Sequence, residues 1–130
     1  MAMHLTSAER VVYPETGITK GAVADYYRAV SRWLLPELAR RPLSLVRCPE
    51  GASAHCFFQK HHAASLGEHV QSIRLREVDG EDDYLYVDDI DGVLELVQMN
   101  TLEFHVWGSH VEAVETPDRL VFDLDPSEGI

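Results

Sequence analysis

A chain of 130 residues with 45% hydrophobic content has the length of one domain and enough apolar side chain to bury a core, which excludes a disordered chain. No apolar run approaches the ~20 residues that span a bilayer, and the N-terminus lacks the apolar middle of a secretory signal, so no membrane partner and a cytoplasmic location are expected. The net charge of −11 taken whole speaks against phosphate contact, but residues 1–76 hold ten Lys/Arg against six acids, a net +4, and residues 77–130 carry −15.

In chain order, Val11 to Lys20 is a turn-rich entry with Pro14 and Gly17. Thr19 is the expected N-cap of a helix from Lys20 to about Ala39, whose buried stripe is Val23, Tyr27, Val30, Leu34 and Leu38. Pro36 should kink or shorten its last turn. After Pro42, Leu43 to Arg47 reads as a short buried strand, Pro49 to Gly51 as a turn, and Cys56 to Lys60 as a second strand. Gln71 to Val78 alternates as a third strand, Asp79 to Asp83 reads as an acidic turn around Gly80, and Tyr84 to Val87 as a fourth strand. The acids of 77–91 also fit charge that solvates loops. Asp91 is the expected cap of a helix from Gly92 to about Leu102, followed by strands Phe104 to Trp107 and Arg119 to Leu124. The expected architecture is a mixed α/β or α+β module with two main helices, a single domain over 1–130.

Two cysteines, Cys48 and Cys56, are too few for a disulfide scaffold, and in the cytoplasm they are expected to be reduced and to serve packing. With His55, His61 and His62 they form a group of soft donors that suggests zinc, although the spacing matches no paired knuckle. No nucleophile elbow, P-loop or dinucleotide loop is present, which excludes hydrolase, kinase and dehydrogenase readings.

The strongest local signal is Arg119-Leu-Val-Phe-Asp-Leu-Asp-Pro126. On a strand, Asp123 and Asp125 point to one face while Phe122 and Leu124 enter the core. Two such carboxylates either cap a turn or hold a hard divalent cation suited to phosphoryl transfer. Phe57 and Phe58, adjacent on a strand, face opposite sides; either one ring stacks a base or both are buried between layers. Arg10, Lys20, Arg47 and Lys60 are phosphate ligands or ordinary solvated charges, and His105 is a structural histidine or a ligand.

A series of short blocks runs in register along the chain: Leu5-Thr6 with Arg10 to Lys20, Tyr26-Tyr27, Arg41-Pro42, Arg47-Cys-Pro-x-Gly51, Cys56-Phe-Phe-Gln-Lys-His61, Leu102-Glu-Phe-His105, and Arg119 to Pro126 with Glu128-Gly129. Together they resemble the front portion of the primase-polymerase domain of bacterial DNA ligase D. The resemblance implies the archaeo-eukaryotic primase fold and template-directed nucleotidyl transfer, filling gaps and adding ribonucleotides at DNA ends in non-homologous end joining. It implies Mn²⁺ or Mg²⁺ on Asp123 and Asp125, a DNA 5′-phosphate on Arg10 and Lys20, and a template strand on Phe57 and Phe58. A nucleoside triphosphate is implied near His105, Lys60 and Arg47. Arg10 stands where the family carries lysine, a change that keeps the charge.

In relatives the chain continues through a Ser/His-bearing nucleotide-binding motif and a third metal-binding aspartate, neither of which fits in the five residues after Asp125; no ligase nucleotidyl-lysine motif is present. Three readings follow: a polymerase portion acting with the remainder of a ligase D-type protein and a Ku-like end-binding protein at the nucleoid, a non-catalytic module that grips recessed 5′-phosphates, or an acidic soluble protein that retains only the fold. The last strand is expected to expose an edge and apolar surface, through which a homodimer can form.

Overall fold

Thr19 opens the first helix as expected: its backbone is extended and its Oγ1 accepts from the Ala22 amide at 3.1 Å. Helix α1 runs Lys20–Leu38, entered through the short antiparallel strands β1 (Val11–Tyr13) and β2 (Ile18–Thr19). The computed structural model describes residues 3–127, so Glu128 and Gly129 of the last sequence block lie outside them. Beyond α1 come β3 (Leu43–Arg47), β4 (Phe57–Gln59), β5 (Val70–Glu77), β6 (Gly80–Val87), α2 (Ile90–Gln98) and β7 (Thr101–Val106). The mixed α/β reading with two main helices holds.

Strand β3 is central in an antiparallel sheet of order β4-β3-β7, with Leu45 opposite both Gln59 and Phe104. Strands β5 and β6 form a separate hairpin. The backbone bridge between His61 and Tyr84, and the His62 amide donating to the Asp83 carbonyl at 2.7 Å, join this hairpin to the chain leaving β4. The main core gathers Leu38, Leu43, Leu45, Leu66, Val70, Leu85, Val87, Val93 and Leu96. A smaller cluster of Ala24, Leu94 and Val97 sits between the helices. Of the predicted α1 stripe, Val23, Tyr27, Leu34 and Leu38 pack on these clusters; Val30 does not, and it lies with Tyr26 and Trp33, 62% exposed, toward the helix's open side.

Four expectations are corrected. Glu81, Asp82 and Asp83 lie in β6, because the hairpin turns at Val78–Asp79; there Glu81 and Asp83 face Arg76 and Arg74 across the ladder, Arg74 bonding Asp83 at 2.9 Å, while Asp82 lies opposite Leu75. The cap of α2 is Asp89, whose Oδ1 accepts from the Gly92 amide at 3.1 Å, while Asp91 sits in the first turn. That helix stops at Gln98, because Asn100 takes a left-handed φ of 70° as the residue that ends it, and this frees Thr101 and Leu102 for β7. Cys48 and Cys56 are not free thiols: they lie one step beyond the Arg47–Phe57 pair of adjacent strands and form a disulfide, with Cα atoms 4.3 Å apart. Both sulfurs are thereby withdrawn from the zinc reading.

The last correction concerns the segment after Arg119, which is not a strand. The Asp118 and Arg119 amides donate to the Gly108 carbonyl at 2.8 and 3.1 Å, and from Leu120 onward the described chain has no regular structure. Leu120, Val121, Phe122 and Leu124 are 79–87% exposed rather than buried. A strand exists only where a neighbour accepts its backbone bonds, and here the segment lies on no other strand.

Gly92 sits in a close contact between α2, β6 and the chain entering β5. A Cβ there would lie 2.6 Å from the Val87 Cβ and 2.8 Å from the His69 carbonyl oxygen. Gly92→Ala is therefore expected to destabilise by about 1–3 kcal/mol despite its gain in helix propensity. A denaturant midpoint equal to or above wild type would contradict this packing.

Candidate functional site

The residues singled out from sequence fall into three places. The first is a basic cluster at the C-terminal end of α2. The β1–β2 pairing, with the Lys20 amide donating to the Arg10 carbonyl at 2.8 Å, brings Arg10 and Lys20 together. Lys20 is only 4% exposed, and its Nζ donates to the Gln98 carbonyl at 3.2 Å. Arg47 donates through Nε to the Met99 carbonyl at 2.8 Å and through Nη1 to Gln59 at 2.7 Å. Helix α2 has no base in its own last turn, so Lys20 and Arg47 supply the cations that its terminal carbonyls favour.

Both of these bases meet neutral acceptors. Burial and the neighbouring Arg10 push the Lys20 ammonium down, and burial likewise lowers Arg47. Arg10 donates to the Pro49 carbonyl and lies 3.6 Å from Glu50. The result is a pole of incompletely neutralised positive charge.

The second place is the outer face of the three-stranded sheet. Ser44 lies opposite His105 and Val46 opposite both Phe58 and Glu103. Alternation therefore puts Phe58, Lys60 and His105 on one face, with Phe58 78% exposed. Phe57 points the other way, beneath the Arg47 guanidinium at 4.9 Å from its ring centre. Of the two rings, one is thus free to stack and the other is tied to the basic cluster. Lys60 lies 3.8 Å from Glu77 and 5.8 Å from the Tyr84 ring centre, and the exposed His105 is 3.7 Å from Glu103.

The third place is the exposed segment carrying Asp123 and Asp125, which the structure does not bring to either of the others. Its root is firmly held. Arg41, 4% exposed, donates to Asp118 at 2.8 Å and to the Trp107 carbonyl at 3.1 Å; His110 contacts Asp118 at 2.7 Å, and Arg119 pairs with Glu37. Beside it, β7 is an edge strand. Between β7 and α1 runs a mainly apolar groove lined by Tyr27, Leu34, Leu38, Leu102, Phe104 and Val106, with Glu37, Glu103 and His105 at its rim.

Sequence reasoning missed one group of chemically competent side chains. His61, Glu77 and Asp82 converge, with His61 Nε2 2.7 Å from Glu77 and Nδ1 3.5 Å from Asp82. Tyr84 donates its hydroxyl to Glu77. That bond, burial and the Glu77 charge hold the Tyr84 phenol up at about 12, while the Tyr84 and His61 hydrogen bonds hold Glu77 below the usual carboxylate range. The available signal was the Asp79-Gly80 pair, a hairpin marker that sets Glu77 diagonal to Asp82 on one face. A second trio, His69, Asp89 and Asp91, also brings donor atoms within reach of one another.

No described helix is long and apolar enough to cross a membrane. The family model for the LigD primase-polymerase domain matches residues 19–130. The chain is 33% identical over 130 residues to the multifunctional non-homologous end joining protein LigD of Mycolicibacterium smegmatis, covering 98% of this chain and 17% of that protein. It is 36% identical to its counterpart in Mycobacterium tuberculosis and 31% to the bifunctional LigD of Bacillus subtilis, covering 97% and 95% of this chain but 18% and 20% of those proteins. The chain thus spans about a fifth or less of the curated relatives it matches. Its structure superposes with a TM-score of 0.78 and 32% identity on the polymerase domain of Mycobacterium tuberculosis ligase D solved in complex with DNA, over 83% of this chain and 38% of that one. With the blocks from Lys20 to Pro126 in place on this fold, the chain belongs to the LigD primase-polymerase domain family.

Proposed function

We propose that these residues form the front portion of a metal-dependent nucleotidyl-transfer module that extends DNA ends carrying a 5′-phosphate during non-homologous end joining. The observation that carries this reading is the match between the free edge of β7 and the segment rooted beside it. That segment turns back at Gly108, where the Asp118 and Arg119 amides donate to its carbonyl, so pairing with β7 would be antiparallel. Leu120, Phe122 and Leu124 alternate with Val121, Asp123 and Asp125 along it. The register that buries the first three in the groove between β7 and α1 sets Asp123 and Asp125 on the opposite face, beside His105. A slip of one residue would bury both carboxylates, which is prohibitively costly.

Oxygen donors of this kind suit Mg²⁺ or Mn²⁺. Bound there, such an ion neutralises charge on a triphosphate and polarises the attacking hydroxyl. Around that point, Lys60 and His105 offer a cation and a hydrogen-bonding ring to phosphate oxygens, and Phe58 offers a face on which a template base stacks, worth about 1–3 kcal/mol. Arg10 and Lys20 take the 5′-phosphate, which supplies the negative charge their cluster lacks. Nucleoside triphosphates, the remainder of a ligase D-type protein and a Ku-like end-binding protein are the partners this role requires, in a bacterial cytoplasm at the nucleoid. A copy of the chain docked through the exposed segment is the homodimer it allows.

The 5′-phosphate grip is tested by binding gapped duplexes with and without that phosphate. Wild type is expected to prefer the phosphorylated gap, and Lys20→Met, which keeps the buried stem, to lose most of that preference. Equal affinity of wild type for both duplexes would overturn the grip. A phosphate preference together with no nucleotide addition would favour the non-catalytic end-binding reading.

A further inference from the structure

We propose that His61, Glu77 and Asp82 form a second divalent-metal site, taking a transition ion such as Zn²⁺ and clasping the chain that leaves β4 to the β5–β6 hairpin. The three side chains come from three separate segments, are all half-buried, and each offers one donor atom within 4.8 Å of the others. One imidazole nitrogen and two carboxylate oxygens are the donor set that borderline ions such as zinc accept, with the remaining position left to water.

A tetrahedral ion with bonds near 2.1 Å separates its ligand atoms by roughly 3.4 Å. His61 meets Glu77 through Nε2 at 2.7 Å and Asp82 through Nδ1 at 3.5 Å, so an ion takes one ring nitrogen in place of the other contact, drawing together three donor atoms that already lie within 4.8 Å of one another. Their supports are already set. The Tyr84 hydroxyl orients Glu77, the Asp83 amide donates to Asp82 Oδ1 at 2.7 Å and leaves Oδ2 toward His61, and the His61–Tyr84 bridge fixes the backbone. Space is available as well: Glu77 faces Gly80 across the hairpin, and a Cβ on Gly80 would meet nothing within 4 Å. Lys60, 3.8 Å from Glu77 and 55% exposed at its side chain, can swing into solvent as the ion enters.

The site would further fix the segment that presents Phe58 and Lys60, which already meets the hairpin through the His61–Tyr84 bridge, the His62 amide on the Asp83 carbonyl, the His62 ring 3.2 Å from the Val70 carbonyl and Lys60 3.8 Å from Glu77. It is separate from Asp123 and Asp125 and does not depend on the proposed activity.

Calorimetric titration of the full chain with Zn²⁺ tests it, with the visible absorption of Co²⁺ as a second readout of coordination. One ion is expected to bind, with affinity falling about tenfold or more in His61→Ala and in the milder Glu77→Gln. It is expected to persist in the Asp123→Ala/Asp125→Ala double variant and in His69→Ala. Circular dichroism separates loss of a ligand from loss of fold, and Glu77→Gln keeps the test valid should His61→Ala unfold. No stoichiometric binding, undiminished binding in His61→Ala or Glu77→Gln, or loss in the double variant or in His69→Ala would overturn the proposal.

Discussion

Primer extension on a gapped, 5′-phosphorylated duplex with Mn²⁺, by the native protein containing these residues, is expected to fall on the order of 10²-fold or more in Asp123→Ala and in Asp125→Ala. The size of the effect follows from what the carboxylates do. On the proposed reading they are the acceptor-only oxygens that hold the ion, on a segment whose pairing with β7 would direct them away from the apolar groove, so their removal would take ion binding with it and leave the fold intact. Both are exposed, and stability is therefore expected to stay within about 0.5 kcal/mol of wild type. Extension at the wild-type rate in either variant would place the chemistry elsewhere.

Arg41→Ala is expected to have the largest effect on stability, about 3 kcal/mol. Its guanidinium is buried, donates to Asp118 and to the Trp107 carbonyl, and ties the root of the 119–127 segment to the end of β7. Its Nε has no hydrogen-bond partner, so the two Nη1 bonds carry the compensation for burying this charge. Truncation removes those bonds and the packing of the stem.

The same pair gives a pH signature. The Arg41 hydrogen bond holds the Asp118 carboxyl below its ordinary value, with the charges of Arg41 and His110 assisting. A carboxylate whose folded pKa is depressed contributes stability above its unfolded pKa and loses it as pH falls through the folded value. The destabilisation caused by Arg41→Ala is therefore expected to be greatest near neutrality and to shrink as pH falls below the ordinary aspartate range, as read from urea midpoints across pH. An equal deficit at all pH values would assign the loss to packing alone.

Local rules made much of the fold legible. The Thr19 cap, the α1 stripe apart from Val30, and β3 needed only capping and periodicity, both written within a few residues. The acids at 81–83 were misplaced because polarity alone cannot tell a turn from a strand face balanced by Arg74 across the ladder. The α2 boundaries slipped because Asp89 and Asp91 are equally good caps in isolation, and Asn100 is a stop signal only once its left-handed backbone is known. The tail shows the deepest limit: its alternation is strand-like, but a strand is completed by a partner, and no sequence window contains the partner.

The site divides in the same way. The family blocks singled out Arg10 and Lys20, which the β1–β2 entry brings together, and Phe58, Lys60 and His105, which the sheet register sets on one face. The role of Lys20 and Arg47 on the carbonyls of Gln98 and Met99 was hidden, since backbone acceptors leave no mark in sequence. The trio of His61, Glu77 and Asp82 was hidden because it depends on hairpin register, and the Cys48–Cys56 disulfide because it depends on the two cysteines falling opposite each other one step past a strand pair.

The central claim is that Asp123 and Asp125 join His105 on one face when the segment pairs with β7. The most direct measurement is the paramagnetic broadening by Mn²⁺ of the His105 ring resonances. Broadening at substoichiometric Mn²⁺ in wild type, lost in the Asp123→Ala/Asp125→Ala double variant, is the predicted result. His105 signals that stay sharp in wild type, or broaden equally in the double variant, would contradict it.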